Sequence, residues 1–142
     1  MGRIMAIDYG RKRSGLAVTD TLQLIAGGLA TVQSNELLDY ISAYVAREPV
    51  DLIIVGFPVQ MNNEVSENMK YVEGFAARLK HTLPDIPVEY HDERFTTLMA
   101  HRTMIEGGLG KKKRQNKALV DEISAVIILQ SYMESKNKTY NL

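Results

Sequence analysis

Three strand-like segments near the N-terminus, joined by short connections, constrain the fold of this 142-residue chain more than any other feature. They are residues 3–8 ("RIMAID"), 15–19 ("GLAVT") and 28–33 ("GLATVQ"). Alternating side chains in the first segment are typical of a β-strand. Strands joined by short turns pair antiparallel, because parallel neighbours need a long crossover connection. The N-terminal part of the chain therefore predicts three antiparallel strands.

The remainder of the chain alternates between helical and strand-like patterns. Helices are predicted at residues 35–48, 64–83, 96–108 and 117–136, and strands at residues 51–57 and 87–94. A strand–helix–strand crossover implies parallel pairing. We therefore expect a single α/β domain over residues 1–142, with a five-stranded mixed sheet, helices on both faces and a frayed tail at about 137–142.

The composition excludes several classes of site and location. The chain has no cysteine, which rules out disulfides, thiolate zinc sites and a cysteine nucleophile. With three histidines, a hydrolytic metal site would depend on carboxylates, which suit magnesium or manganese. Lys+Arg and Asp+Glu both number 17, so any binding of nucleic acid must be local. No signal-peptide pattern or membrane-length apolar run is present, so we expect a cytoplasmic protein with no membrane contact.

Acidic residues stand at the ends of the first and last predicted strands. Asp8 ends the first strand, and Asp92 and Glu93 end the last. In sheets of this kind, ligand sites lie beyond the carboxyl ends of the parallel strands. Because side chains alternate along a strand, at most one of Asp92 and Glu93 points toward a given cleft. Asp51 begins a strand and is expected at the opposite edge, and Asp20 is expected to be a turn residue.

The last helix supplies a further acid near its start. Asp121 is followed at helical spacing by Ser124 and Ala125, a small face that would let the helix approach the sheet closely. Periodicity does not decide between Asp121 and its neighbour Glu122. Two carboxylates about 4 Å apart repel by roughly 4 kcal/mol at an effective dielectric near 20, so converging acids need a cation. Hard divalent ions fill this role, and a pair of them can hydrolyse phosphodiesters.

Two runs of cations lie next in sequence to these acids. The first follows Asp8 and the second precedes Asp121: Arg11, Lys12 and Arg13, then Lys111, Lys112, Lys113 and Arg114. Lysine and arginine supply most of the non-specific affinity for nucleic acid by neutralising phosphates. The runs therefore predict a substrate track, whereas the alternative is an ordinary solvated loop. No aromatic platform for stacking single-stranded bases is evident, which favours recognition of RNA through shape and backbone.

Four blocks of sequence resemble the YqgF/RuvX family. They occur in family order: "IMAIDYGRKRSGLAV", "IIVGFPVQM", "DERFTTLMA" and "KALVDEISAVIILQSYM". Members of this family are described as nucleases for precursor 16S ribosomal RNA, and earlier as Holliday-junction resolvases. The resemblance implies a ribonuclease H-like fold, with Asp8, Glu93 and Asp121 as catalytic residues that hold two Mg²⁺ or Mn²⁺ ions. It favours Asp121 over Glu122, and it makes Arg13 the strongest phosphate contact of the first run.

The resemblance implies a nuclease that processes the 5′ end of precursor 16S ribosomal RNA, with the small ribosomal subunit as a further partner. It also implies products with 5′-phosphate and 3′-hydroxyl ends. Two alternatives remain open: a resolvase of branched DNA, and a non-catalytic RNA-binding assembly factor. A sugar kinase or actin-like ATPase is disfavoured because the chain is too short for the two domains that normally enclose ATP.

The chain departs from the family pattern at several positions. Ser14 stands where an apolar residue is usual, Asn62-Asn63 replaces a frequent Asp-Gly, and Ser124 replaces a frequent alanine. None of these changes removes an expected ligand, but the second alters a loop where substrate contacts are expected. His91 is expected to be a hydrogen-bonded strand histidine rather than a proton shuttle.

Overall fold

A computed structural model of the chain describes residues 2–57, 69–92 and 117–140. In this part of the chain, five strands form one sheet in the order β3-β2-β1-β4-β5. The β1–β2 and β2–β3 pairs are antiparallel, and the β1–β4 and β4–β5 pairs are parallel. The strands are β1 (Arg3–Asp8), β2 (Arg13–Thr19), β3 (Ala26–Gln33), β4 (Val50–Phe57) and β5 (Val88–Asp92). The mixed sheet expected from the sequence is confirmed.

Three α-helices accompany the sheet in the described ranges: α1 (Leu37–Arg47), α2 (Met69–Thr82) and α3 (Lys117–Tyr140). A 3₁₀ turn at Ser34–Glu36 precedes α1. Glu48 is extended (φ −127°, ψ 136°), as expected for a residue before proline, and this ends α1. None of the helices in these ranges is long and apolar enough to span a membrane.

Side chains of the sheet alternate between two hydrophobic cores, one on each face. The first core lies between the sheet and α1 and α2, and the second lies between the sheet and α3. Along β1, the odd-numbered Met5 and Ile7 enter the first core, and the even-numbered Ile4 and Ala6 enter the second. The prediction of helices on both faces is therefore confirmed.

Several element boundaries differ from those predicted. β2 and β3 each begin two residues earlier than predicted, because their ladder continues past the apolar pattern to pair Arg13 with Gln33 and Thr19 with Ala26. The predicted end of the last helix at residue 136 is wrong. The helix continues to Tyr140, and neither proline nor glycine stands in that segment to stop it.

Some predicted features lie outside the described residues. They are the start of the second helix at 64–68, the loop with Asn62-Asn63, Glu93 and the end of the last strand, the helix at 96–108, and the basic loop with Lys111, Lys112, Lys113 and Arg114.

Candidate active site

Asp8 lies at the edge of the sheet where the parallel strands end. It is the last residue of β1, and the neighbouring parallel strands β4 and β5 end at the same edge with Phe57 and Asp92. β1 and β5 are separated by β4, or about 10 Å at the usual strand spacing. Because Ile4 and Ala6 face α3, strand alternation gives Asp8 the same face. By contrast, Asp51 lies near the start of β4 and accepts a hydrogen bond from the Gly2 amide at 2.8 Å, as expected for an acid at the opposite edge.

Gly15 brings the first turns of α3 against the strand beside Asp8. It is the residue of β2 that pairs with Asp8 across the antiparallel ladder. A Cβ atom at this position would overlap the backbone carbonyl of Asp121. The close approach therefore requires glycine, and it places the backbone of Asp121 directly over the partner of Asp8. Ser124 and Ala125 are buried in the same part of α3, so the small face expected from the sequence does permit this approach.

The structure distinguishes Asp121 from Glu122, which the helical periodicity of the sequence does not. Asp121 lines a cleft together with the β1–β2 connection. Glu122 turns instead toward β3, where its carboxylate occupies the space that a side chain at Gly28 would fill. Of the two neighbours, Asp121 is therefore the one at the same edge as Asp8.

Arg13 forms an ion pair with Asp121. The Arg13 Nε donates to Asp121 Oδ2 at 2.5 Å, and the two side chains are 37% and 23% exposed. Both residues line a cleft of about 640 Å³, and Gly10, Arg11 and Lys12 line it as well. All three residues of the first cationic run thus line the cleft. Arg13 also neutralises Asp121, which is an expected metal ligand. Because 108 positions separate the two residues, no local pattern in the sequence indicates this pair.

Two serines hold the β1–β2 connection in place. Ser14 is fully buried, and its hydroxyl accepts from the Gly10 amide at 3.2 Å and lies 2.8 Å from the Ser34 hydroxyl. Ser34 in turn donates to the Gly10 carbonyl at 2.5 Å, and its amide donates to the Lys12 carbonyl at 2.9 Å. The backbone that carries the first cationic run is therefore fixed at Gly10 and Lys12. The sequence feature that could have indicated these hydrogen bonds is Ser14, because a serine stands there where the family usually has an apolar residue.

His91 and Glu89 on β5 contact α3. His91 Nε2 lies 2.9 Å from the Ser131 hydroxyl, which confirms a hydrogen-bonded strand histidine. The Tyr132 hydroxyl donates to Glu89 Oε2 at 3.1 Å, and burial raises the pKa of Tyr132, so it remains a protonated donor. These contacts show that the odd-numbered residues of β5 face α3, which is also the face of Asp8.

A family model described as "RuvX: Holliday junction resolvase" matches residues 2–135 of the chain. The chain belongs to the RuvX family. RuvX-family relatives from Parabacteroides distasonis and Bacteroides thetaiotaomicron are each 68% identical over 136 residues, which cover 96% of this chain and 97% and 99% of those proteins. Both bear the name "Putative pre-16S rRNA nuclease".

A solved structure of RuvC from T. thermophilus, in complex with a Holliday junction substrate, resembles this RuvX-family chain. The TM-score is 0.57 at 16% identity, over 94% of this chain and 96% of that one. Identity at this level establishes the fold alone. The ribonuclease H-like architecture that the sequence blocks implied is thereby confirmed.

The donor chemistry at this edge of the RuvX-family chain suits a hard divalent cation. Asp8 and Asp121 lie at one end and on one face of the sheet, and carboxylate oxygens are the ligands that Mg²⁺ and Mn²⁺ prefer. Among residues 2–57, 69–92 and 117–140, no three acidic or histidine side chains form a metal-binding group. The third expected ligand, Glu93, directly follows β5 and lies outside those ranges.

Proposed function

We propose that this chain is a metal-dependent nuclease that hydrolyses phosphodiester bonds in precursor 16S ribosomal RNA, at the 5′ end of the mature sequence. The observation that carries the proposal is the approach of α3 to β2 at Gly15, which puts Asp121 beside Asp8. Two carboxylates at one edge of the sheet repel each other, and Arg13, which pairs with Asp121, offsets only part of their charge. The names of relatives at 68% identity support ribosomal RNA as the substrate.

We assign Asp8, Glu93 and Asp121 to hold Mg²⁺ or Mn²⁺, two ions in all. When bound, such ions supply Lewis acidity that favours water as a nucleophile and stabilises a leaving oxygen. Glu93 is preferred to Asp92 because the family resemblance assigns the ligand to the glutamate of the "DERFTTLMA" block. Arg13 orients Asp121 through the ion pair, and a guanidinium has further N–H donors that can bind a phosphate.

The cationic residues Arg11, Lys12 and Arg13 bind the phosphates on either side of the cleaved bond, and Lys111, Lys112, Lys113 and Arg114 extend this track. Water adds to phosphorus as the bond to the 3′-oxygen breaks, so the products carry a 5′-phosphate and a 3′-hydroxyl. A precursor of the small ribosomal subunit is the macromolecular context of this reaction, and the cytoplasm is its location.

A cleavage assay on precursor 16S RNA with Mg²⁺, Mn²⁺ or a chelator tests the proposal. We expect Asp8→Asn, Glu93→Gln and Asp121→Asn each to lower the cleavage rate by about 10²-fold or more. This follows because metal stabilisation of several kcal/mol converts at about 1.36 kcal/mol per tenfold change in rate. Circular dichroism verifies that each variant keeps its fold.

The matched controls are two acids whose carboxylates have other contacts in the structure. Glu122→Gln changes the neighbour of Asp121, whose carboxylate lies against Gly28, and Asp51→Asn changes an acid at the opposite edge. Both variants should retain cleavage. If Glu122→Gln abolished cleavage while Asp121→Asn did not, the assignment of the helix ligand would be wrong. If the wild-type protein bound the RNA without cutting it in either metal, the chain would be a non-catalytic RNA-binding factor.

Resolution of branched DNA is the second candidate function. The description of the matching family model and the likeness to RuvC in complex with a Holliday junction favour it. Contacts to phosphates do not distinguish RNA from DNA, so the cationic cleft favours neither substrate over the other. Assays of a four-way DNA junction beside the precursor RNA, at equal salt and metal, decide between them by the ratio of the cleavage rates.

A further inference from the structure

An exposed tyrosine flanked by two cations lies beside the candidate active site. Tyr71, in the first turn of α2, is 40% exposed. The Arg11 guanidinium carbon lies 4.9 Å from the centre of its ring, and the Lys70 ammonium nitrogen lies 5.7 Å from it. Both distances are within the range of cation–π attraction. The three side chains therefore form one surface, which we term the Tyr71 surface.

The Tyr71 surface is continuous with the cleft that holds Asp121. Arg11 belongs to both, since it lines the cleft and also contacts the Tyr71 ring. A second aromatic contact fixes the two parts relative to each other. Tyr9, which directly follows Asp8, stacks on the buried Phe75 one turn along α2, with ring centres 4.8 Å apart and planes 16° from parallel. Because this stack ties α2 to the residue after β1, the Tyr71 ring, one helical turn before Phe75, is held at a set position relative to the end of β1.

We propose that the Tyr71 surface stacks a base of a single-stranded RNA segment that adjoins the cleaved bond. This inference rests on the proposed nuclease function. An aromatic ring and an arginine plane are the groups on which unpaired bases stack, and adjacent cations bind the phosphates of the same strand. Bases inside a duplex are already stacked on one another, so the occupant is a single strand. The sequence indicated no such platform, because 60 positions separate Arg11 from Tyr71 and their proximity arises from the fold.

Binding of two matched RNAs tests the Tyr71 surface. Both RNAs contain the same duplex and cleavage site, and one carries an additional single-stranded extension next to that site. Dissociation constants are measured at fixed salt in the Asp8→Asn background with chelator, so that no cleavage occurs. We expect Tyr71→Ala to weaken binding of the extended RNA by roughly 5- to 100-fold, the usual effect of losing one base–aromatic stack. Binding of the RNA without the extension should change less than about twofold, and Tyr71→Phe should restore binding because it keeps the ring.

Tyr90 provides a matched control for the loss of an aromatic side chain. It is 41% exposed, and the Lys80 ammonium nitrogen lies 5.9 Å from its ring centre. Tyr90→Ala should leave the discrimination between the two RNAs unchanged. Equal weakening of both RNAs by Tyr71→Ala, or no weakening of either, would overturn the proposal, and so would a wild-type protein that does not prefer the extended RNA. An acidic protein segment that bound in place of RNA and depended on Tyr71 would also overturn it.

These outcomes are distinct from failure of the nuclease proposal. That proposal fails if the wild-type protein cleaves no RNA with Mg²⁺ or Mn²⁺, whatever Tyr71→Ala does to binding. The stacking proposal fails if the extension has no effect that depends on Tyr71, even where cleavage proceeds normally.

Discussion

Gly15 is the residue on which the arrangement of the two described acids depends. Its missing side chain leaves room for the carbonyl of Asp121, while its backbone pairs with that of Asp8. Next to it, Ser14 is fully buried and fixes the connection that carries Arg11, Lys12 and Arg13. Adjacent residues of β2 therefore organise opposite faces of the sheet: Gly15 admits α3 on one face, and Ser14 holds the cationic connection on the other.

Substitution of Gly15 by alanine should disturb both stability and the site. The added methyl group would meet the Asp121 backbone, and overpacking of this kind lowers the free energy of unfolding by about 1–3 kcal/mol. Urea denaturation measures this change, and the same variant should cleave more slowly because Asp121 is displaced. Gly27→Ala is the control, since a Cβ atom at Gly27 would have nothing within 4 Å. If both variants unfolded at the same urea concentration, close contact at Gly15 would not determine the packing of α3.

At the scale of elements, the β2–β3 turn is organised by one carboxylate. The two oxygens of Asp20 accept hydrogen bonds from the backbone amides of Leu22, Leu24 and Ile25 at 3.1, 2.9 and 2.8 Å. These amides, with Ile25 contributing most and Leu24 next, lower the pKa of Asp20 below its ordinary value. The side-chain-to-backbone bonding expected of a turn aspartate is thereby confirmed.

This lowered pKa predicts how the stability of the turn depends on pH. A carboxylate whose pKa is lower in the folded than in the unfolded state stabilises the fold above its unfolded value, which is about 3.9 for aspartate. The stabilisation is lost as the pH falls through the folded value. We therefore expect Asp20→Asn to unfold more readily than the wild-type protein at pH 7, and the two to converge as the pH falls below about 4. Urea denaturation across this pH range tests it, and a difference that persisted unchanged at low pH would contradict it.

The elements also indicate what could be predicted from the sequence. β1 has the bounds that the sequence predicts, because it carries a strong local pattern. The choice between Asp121 and Glu122 could not be made in this way. Both acids lie early in α3, and what separates them is the position of Gly15 and Gly28 on two strands more than 90 positions earlier. The resemblance to a family supplied the choice that periodicity did not.

Contacts between distant segments account for most of what the sequence did not reveal. The pairs Arg13–Asp121 and Arg11–Tyr71 join residues that share no helix or strand. Each of these arginines was identified as a candidate phosphate contact, and in the structure each also has a specific protein partner. Sequence patterns locate charged residues along the chain, whereas only the packing of α2 and α3 on the sheet determines which partners those charges meet.

For the whole molecule, the balance of 17 cationic and 17 acidic residues conceals a local separation of charge. At the carboxyl edge of the parallel strands, Asp8 and Asp121 lie behind a rim formed by the first cationic run. In the proposed function, this rim would bind phosphates of the substrate and the acids would hold the divalent ions. The proposed substrate of a neutral protein is thus selected by one edge of the sheet rather than by net charge.

This arrangement couples binding of divalent metal to folding of the whole chain. The proposed ligands come from β1, from the residue after β5 and from α3, so a site with all three exists only in the folded state. A ligand that binds only the folded state at a hundred times its dissociation constant raises the free energy of unfolding by about 2.7 kcal/mol. We therefore expect Mg²⁺ or Mn²⁺ to raise the melting temperature of the wild-type protein, measured by calorimetry without RNA. Asp121→Asn should lose this increment and Glu122→Gln should keep it, because the carboxylate of Glu122 lies against Gly28. An equal increment in both variants would mean that the ions act elsewhere on the protein, and the carboxylate site would then have to be abandoned.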